Sequence, residues 1–205
     1  FSCPNCVLLM KAPNSTQQRP TLGIPDTKFV LLNDRAKMIT KAPIRVIDLS
    51  LLELHNSRTF WDIGACTGSV SIEARRQYPH LNIQAFEVRE ECKDIIRANA
   101  RLHSAPGIDL HIGNFLNLPI TEDAIVDAVF IGGHGGKLKE IICKVASHLD
   151  KLKGKIVFNS VSEESNKLFR EAVEENDLKL HSEMNITVDT NNPITILCAT
   201  GKYHV

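Results

Sequence analysis

The sequence carries no excess of charge and no long apolar run. Its 24 basic and 24 acidic residues cancel to a formal net charge of +0. That balance leaves out the broad basic field of a nucleic-acid-binding chain, and no nucleic-acid partner is predicted. No apolar stretch approaches the roughly 20 residues that span a bilayer, so no membrane partner is predicted. The opening F-S-C-P-N-C is not the charged and then apolar start of a secretory signal. Six cysteines lie scattered at 3, 6, 66, 92, 143 and 198 in 205 residues. That pattern argues against a disulfide framework and for reduced thiols in a cytoplasm. Cys3 and Cys6 have no second Cys or His pair at zinc spacing, so they read as linker residues and no metal site is expected. Internal repeats, low-complexity runs and a Ser/His/Asp constellation are also missing.

Hydrophobic residues make up 43% of the chain, enough for a full core. The chain starts at Phe1 without Met, and 14–20 is polar and linker-like. Residues 1–20 are therefore expected to be the tail of an upstream domain, with 21–205 forming one domain. Apolar spacing and turn residues predict helices over 44–54, 69–77, 90–103, 137–148 and 163–176. The helix over 90–103 should turn Cys92, Ile95, Ile96 and Leu102 inward. Strands are predicted over 58–63, 82–87, 108–112, 126–131, 155–159, 179–188 and 194–202. Five β-then-α units imply an α/β fold with a mostly parallel, seven-stranded, Rossmann-like sheet. The last two strands form an antiparallel hairpin through a turn rich in Asn and Pro.

One stretch organises this pattern: T-F-W-D-I-G-A-C-T-G-S-V over 59–70. It reads as a strand, a glycine turn and a helix start. Open α/β sheets bind ligands at such a place, over the carboxyl end of the first strand. Dinucleotide folds use G-x-G-x-x-G, which is absent here. The acid Asp62, followed by glycines four apart at Gly64 and Gly68, instead resembles the S-adenosylmethionine fingerprint of class I methyltransferases. A sulfonium ligand is positively charged, so an acid beside the loop makes electrostatic sense. An ordinary strand-to-helix turn is the alternative.

Other positions fit the same ligand. Glu87 lies 19 residues beyond Gly68, where a carboxylate accepts hydrogen bonds from ribose hydroxyls; the alternative is a helix-dipole acid. Asn114 offers an acceptor for an adenine amino group and Phe115 an apolar ring contact; the alternative is a turn residue and a core aromatic. The D-A-V-F-I-G-G-H-G-G stretch over 127–136 brings backbone N–H groups within reach of a substrate carboxylate. It lacks the Pro-Pro-aromatic motif of base methylation. His134 there is either an acid/base or an exposed loop residue, and Asp127 begins a strand. Lys41 and Arg45, at the start of the first helix, pair with substrate carboxylates or are solvated charges.

With these residues in hand, the chain resembles the cobalamin-pathway family of precorrin-6Y and cobalt-precorrin C15-methyltransferases (decarboxylating). The resemblance covers about 23–202 and rests on G-I-P-D (23–26), T-K (40–41), L-S-x-L-x-L (49–54), W-D-I-G-A-x-T-G-S-V-S-I-E-A (61–74) and F-I-G-G-x-G-G (130–136). It implies methyl transfer from S-adenosylmethionine to C15 of a reduced tetrapyrrole, with decarboxylation of the C12 acetate. G-I-P-D at this position implies the fused form, with a C5-methyltransferase domain upstream, and family members are often tetramers. Carried over by position, Thr40, Asp62, Gly64, Ala65, Cys66, Gly68, Ser69, Glu87, Val88, Asn114, Phe115 and Gly132 would hold the cofactor. Gly133, Gly135 and Gly136 would face the macrocycle; Lys41, Arg45 and His134 are expected to position it on their own chemistry, and no family role is carried over to His134.

Three features depart from the family pattern. Cys66 stands where a Gly is usual, and it strains the turn if its φ is positive. His134 commonly corresponds to a small residue, and the final hairpin matches weakly. The rival readings are a class I methyltransferase acting on tRNA or protein, and a non-catalytic cofactor-binding module.

Overall fold

Alternation along β1 (Thr59–Ile63) divides the molecule into two cores. Trp61 and Ile63 face one side, Phe60 and Asp62 the other, and both sides are buried. A strand of this kind belongs in a parallel sheet covered by helices on both faces. The computed structural model, which describes residues 21–35, 38–189 and 192–203, shows that sheet. The expectations for 1–20, including Cys3 and Cys6, lie outside the described residues.

Strand β1 pairs in parallel with β2 (Asn82–Glu87) and with β4 (Ala128–Ile131). Outward from these run β3 (Ile108–Ile112) beside β2 and β5 (Lys155–Ser160) beside β4, also parallel. The closing strands, β6 (Leu178–Ile186) and β7 (Ile194–Gly201), are antiparallel, and β7 lies between β5 and β6. The seven-stranded order is β3-β2-β1-β4-β5-β7-β6.

Five α-helices among the described residues cover the sheet: α1 (Ala42–Leu51), α2 (Ser69–Gln77), α3 (Cys92–Leu102), α4 (Leu138–His148) and α5 (Glu163–Glu175). On one face Trp61, Val129, Ile131 and Phe158 pack with Ile142 and Val145 of α4 and Phe169 of α5. On the other, Phe60, Phe130 and Val157 pack with Ile44 and Leu49 of α1 and Val70 and Ala74 of α2. Fully burying each such side chain contributes about 1.5–3 kcal/mol.

The fold class and strand set agree with the sequence, and the bounds of α2 and β3 match those predicted. Most other ends shift by one or two residues, and four differences bear on the fold. Helix α1 begins and ends early, because Asp26 accepts the Ala42 N–H at 3.0 Å and Glu53 takes a left-handed φ of 47°. Strand β4 begins at Ala128, because the Asp127 carboxylate turns back to accept the N–H groups of Arg58 and Thr59 at 2.6 and 3.0 Å. Four strands, not five, lead into a helix, since β3 reaches β4 through the loop 113–127. Leu102 is 62% exposed, and the buried polar residue of α3 is Asn99.

The segment before α1 is fixed by an ion network. Arg45 and Glu73 both have side-chain exposures of 0%, and the Arg45 Nε lies 2.9 Å from Glu73 Oε2. Arg45 Nη1 also meets Asp26 Oδ1 at 2.8 Å, while its guanidinium donates to the carbonyls of Thr40 and Ile24. Glu73 Oε1 accepts the N–H groups of Gly23 and Ile24. G-I-P-D is thus a clamp that ties 23–26 to α1 and α2. Removing one partner of a buried pair strands the other charge. Arg45→Met is expected to cost about 3–5 kcal/mol in urea denaturation. A loss under 1 kcal/mol would show that the network contributes little.

Candidate active site

The carboxyl ends of β1, β2, β4 and β5 open on one cavity of about 850 Å³. From β1 the chain winds one way to β2 and β3, and the other way to β4 and β5. The cavity sits at this reversal, where open α/β sheets place their ligands.

The turn after β1 is anchored on both sides. Gly64 and Ala65 donate to the Phe86 carbonyl at 2.8 and 3.1 Å, and Gly132 donates to the Ile63 carbonyl at 2.8 Å. Gly64 has φ +80°, and a Cβ there would lie 2.7 Å from Gly133 N. The β1 and β4 loops therefore touch backbone to backbone. Cys66 follows with φ 50°, so the usual glycine position is indeed left-handed here. A non-glycine residue in that region costs roughly 1–2 kcal/mol. Its N–H donates to Glu87 Oε2 at 2.8 Å. Burial pushes the thiol up to about 12, with Cys92 alongside adding to the shift.

Glu87 is 2% exposed and lines the cavity. Its other oxygen accepts the Arg89 N–H at 3.0 Å and the Arg89 guanidinium at 3.2 Å. Three donors do not exhaust the four or so lone-pair sites of a carboxylate. Asp62 is buried behind the loop, accepting from Ser71 Oγ at 2.5 Å and Ser71 N at 3.1 Å. Burial raises its carboxyl to about 6, with Ser71 opposing that shift and Glu87 adding to it.

The end of β3 supplies the next wall. Asn114 is exposed and lines the cavity, but its Oδ1 accepts the Leu116 N–H at 3.0 Å. Phe115 is chiefly a core aromatic, edge-on to Trp61 and Phe86 with centroids 6.0 and 5.0 Å apart. Lys144 of α4 fixes this loop by donating to the carbonyls of Phe115, Leu116 and Leu118.

Opposite lies the glycine loop. Added Cβ atoms at Gly133, Gly135 and Gly136 would meet nothing within 4 Å, so this stretch borders open space. His134 Nδ1 accepts the Gly136 N–H at 3.2 Å, and its ring packs edge-on to Phe158. Burial lowers its basicity, favouring the neutral ring. Its Nε2 lies 3.5 Å from Ser165 Oγ.

The cavity collects Thr40, Lys41, Asp62, Gly64, Ala65, Cys66, Ser69, Glu87, Val88, Asn114, Phe115, Gly132, Gly133, His134 and Gly135. Three expected residues are elsewhere. Gly68 faces Ile96 of α3, and Gly136 stands behind His134. Arg45 is buried in the clamp and presents no charge to the cleft. Lys41 lines the cavity while pairing with Asp26 at 3.5 Å.

Sequence reasoning missed two polar supports and an apolar rim. Asn99 donates to the Thr67 carbonyl at 2.9 Å and to the Val30 carbonyl at 3.0 Å, holding the glycine turn from α3. Its signal was a polar residue on the apolar stripe of Cys92 and Ile96. Asn159, at the end of β5, lines the cavity and donates to buried Asp48 at 2.8 Å. The rim adds Met38, Ile39, Val161 and Ile194 to the expected Val88, with Val88 and Val161 well exposed. No local pattern joins these residues, because four different elements bring them together.

A family model described as a precorrin methyltransferase domain matches residues 32–197. The chain belongs to the precorrin methyltransferase family. It is 36% identical over 127 residues to cobalt-precorrin-6B C(15)-methyltransferase (decarboxylating) of Salmonella typhimurium, a match covering 62% of this chain and 64% of that protein. It is 31% identical over 128 residues to precorrin-6Y C(5,15)-methyltransferase [decarboxylating] of Sinorhizobium sp, covering 60% of this chain and 29% of that one. A crystal structure of precorrin-6y C5,15-methyltransferase from Geobacter metallireducens GS-15 superposes with a TM-score of 0.76 at 32% identity, covering 90% of this chain and 100% of the other. The chain thus spans just under two thirds of the Salmonella protein's length. Within this precorrin methyltransferase fold, the two glycine loops make opposite demands. Gly64→Ala is expected to destabilise the chain by about 2 kcal/mol or more through backbone strain and overpacking. Gly133→Ala should stay within about 0.5 kcal/mol in the same thermal melts. Equal effects would contradict the backbone contact between the loops.

Proposed function

We propose that this chain transfers a methyl group from S-adenosylmethionine to C15 of a precorrin or cobalt-precorrin macrocycle and decarboxylates the C12 acetate. The observation that carries the proposal is the family match over 32–197, laid across one cavity at the sheet reversal. Buried Glu87 with spare acceptor capacity suits a ribose diol, and the left-handed loop before α2 suits a ligand lying against backbone. When bound, S-adenosylmethionine supplies an electrophilic methyl group. Gly64, Ala65, Cys66 and Ser69 would form its bed, Asp62 would set a negative potential behind it, and Val88, Asn114 and Phe115 would hold the adenine. Gly133 and Gly135 border the open space where the acceptor would sit, and Thr40 and Lys41 hold its carboxylates. The apolar rim covers a flat ring and excludes water. Alignment of this kind supplies several kcal/mol of the barrier reduction. His134, neutral near pH 7, orders the loop that the acceptor meets.

In this reading a C5-methyltransferase domain precedes the chain, as the name and greater length of the Sinorhizobium relative suggest. Cytoplasmic location is consistent with free Cys66, Cys92, Cys143 and Cys198. No helix among the described residues is long and apolar enough to cross a membrane. Self-association into a homo-oligomer completes the picture.

The decisive assay incubates the chain with a precorrin and labelled cofactor. Gain of one methyl and loss of CO2 in the tetrapyrrole, by mass spectrometry, is the expected result. Methylation of RNA or protein instead would overturn the substrate. Glu87→Ala should weaken cofactor binding about 10- to 100-fold in calorimetry, the value of hydrogen bonds to a charged acceptor. Cofactor affinity should also fall as the pH drops through about 6, where Asp62 gains its proton. If Asp62→Ala and Glu87→Ala both bind normally, the cofactor assignment is wrong.

A further inference from the structure

Beyond β4, at the end of the cavity away from Glu87, stands a polar pair that the proposed function leaves unused. Asp48 of α1 is fully buried, and Asn159 of β5 lines the cavity. Asn159 Nδ2 donates to Asp48 Oδ2 at 2.8 Å. The other oxygen of each side chain, Asp48 Oδ1 and Asn159 Oδ1, is buried without a hydrogen-bond partner among the described residues. Two orphaned acceptors in one bonded pair are costly. A single proton on Asp48 Oδ1 turns one of them into a donor for the other. Directed at Asn159 Oδ1, that proton would close a ring of two hydrogen bonds between a carboxylic acid and an amide.

We propose that Asp48 is held as the neutral acid in such a ring, and that the ring aims the second Nδ2–H of Asn159 at a carboxylate of the acceptor substrate. Asn159 is thereby a substrate-binding residue and Asp48 the residue that positions it. The proposal rests on the tetrapyrrole reading for its ligand, since that substrate is rich in carboxylates. Strand order supports the placement. Glu87 on β2 and Asn159 on β5 are three strand spacings apart, about 14 Å, room for a cofactor at one end and an acceptor at the other.

Electrostatics agree with the geometry. Burial dominates and pushes the Asp48 carboxyl up to about 8, Asn159 and Arg45 pull it down, and Asp62 pushes it up again. Arg45 is already engaged by Glu73 and Asp26, so it is not a dedicated counter-ion for Asp48. For an acid raised in this way the sign is definite. The proton is retained through neutrality and lost as the pH rises through about 8. An ionised Asp48 then places negative charge behind Asn159 and repels the acceptor's carboxylate.

The test uses the whole chain with a precorrin and S-adenosylmethionine. Near neutrality, infrared difference spectra of wild type against Asp48→Asn should show the carbonyl stretch of a protonated carboxylic acid in wild type only. KM for the tetrapyrrole should rise about tenfold or more in Asn159→Ala, with the cofactor Kd changed less than about twofold. Above pH 8 the wild-type KM should climb. Asp48→Asn keeps the ring as an amide–amide pair, so its KM should stay flat, and this variant carries the test if Asn159→Ala does not fold. Absence of the acid band overturns the shared proton. An unchanged KM in Asn159→Ala, or parallel pH profiles in wild type and Asp48→Asn, overturns the substrate contact. If wild type methylates no tetrapyrrole, the functional reading fails and the substrate contact with it, while the infrared band still decides the state of Asp48.

Discussion

A guanidinium with no exposed surface holds the entrance wall of the cleft. Arg45 joins three pieces of chain that the hydrophobic effect alone would leave loosely related: the 23–26 segment, the start of α1 and the middle of α2. Two buried charges would be a liability if either lacked partners. Here each of the three guanidinium nitrogens of Arg45 meets an oxygen, and Glu73 is met by Arg45 and two backbone N–H groups. The result is a fixed path for residues 38–41, which form one lip of the cavity. The same network explains why an arginine just inside a helix, so easily taken for a substrate contact, has nothing left to offer a ligand.

From that wall inward, the cleft is divided by strand order. On the β2 side the groups are held by hydrogen bonds: buried Glu87, the Cys66 N–H and the exposed Asn114 turn fixed by Lys144. On the β4 and β5 side they are glycines with open space around them and a scatter of apolar rim residues. A site with one preformed end and one accommodating end suits a constant cofactor and a large acceptor. The strain at Cys66 belongs to the preformed end, where the hydrogen bond to Glu87 and contact with Cys92 and Ile96 help to offset it.

Much of this was legible in the sequence because its signals are local. Turn residues and two periodicities placed the seven strands and five α-helices to within a few residues, and glycine spacing picked out the loop that lines the cavity. Glu87 was reachable by counting from Gly68. What escaped depends on contacts between distant segments. Arg45 looks like any basic residue at a helix start until Glu73, 28 positions away, is folded against it. Asp48 and Asn159 are 111 positions apart, and neither is unusual alone. Asn99 interrupts an apolar stripe, a visible anomaly, but its partners at Val30 and Thr67 are set by tertiary packing. The rule that won in each case is that buried polar groups must be satisfied, and satisfaction is a property of the assembled chain.

The position of β7 has a consequence for how the molecule is made. Among the described residues strand β6 is outermost and its one sheet neighbour is β7, which follows it in the chain and must slide between β6 and β5. While the chain emerges from a ribosome, β6 has no neighbour to join until some 15 further residues have appeared, about one to three seconds at ordinary synthesis rates. The Glu87 end of the cleft, built from β1 to β3 and α2, has no strand in this late hairpin. The Asn159 end does, since Ile194 at the start of β7 is part of its rim. One half of the cleft has all its strands long before the other, and a chain interrupted before β7 would keep the strands around Glu87 but lack part of the wall beyond β5.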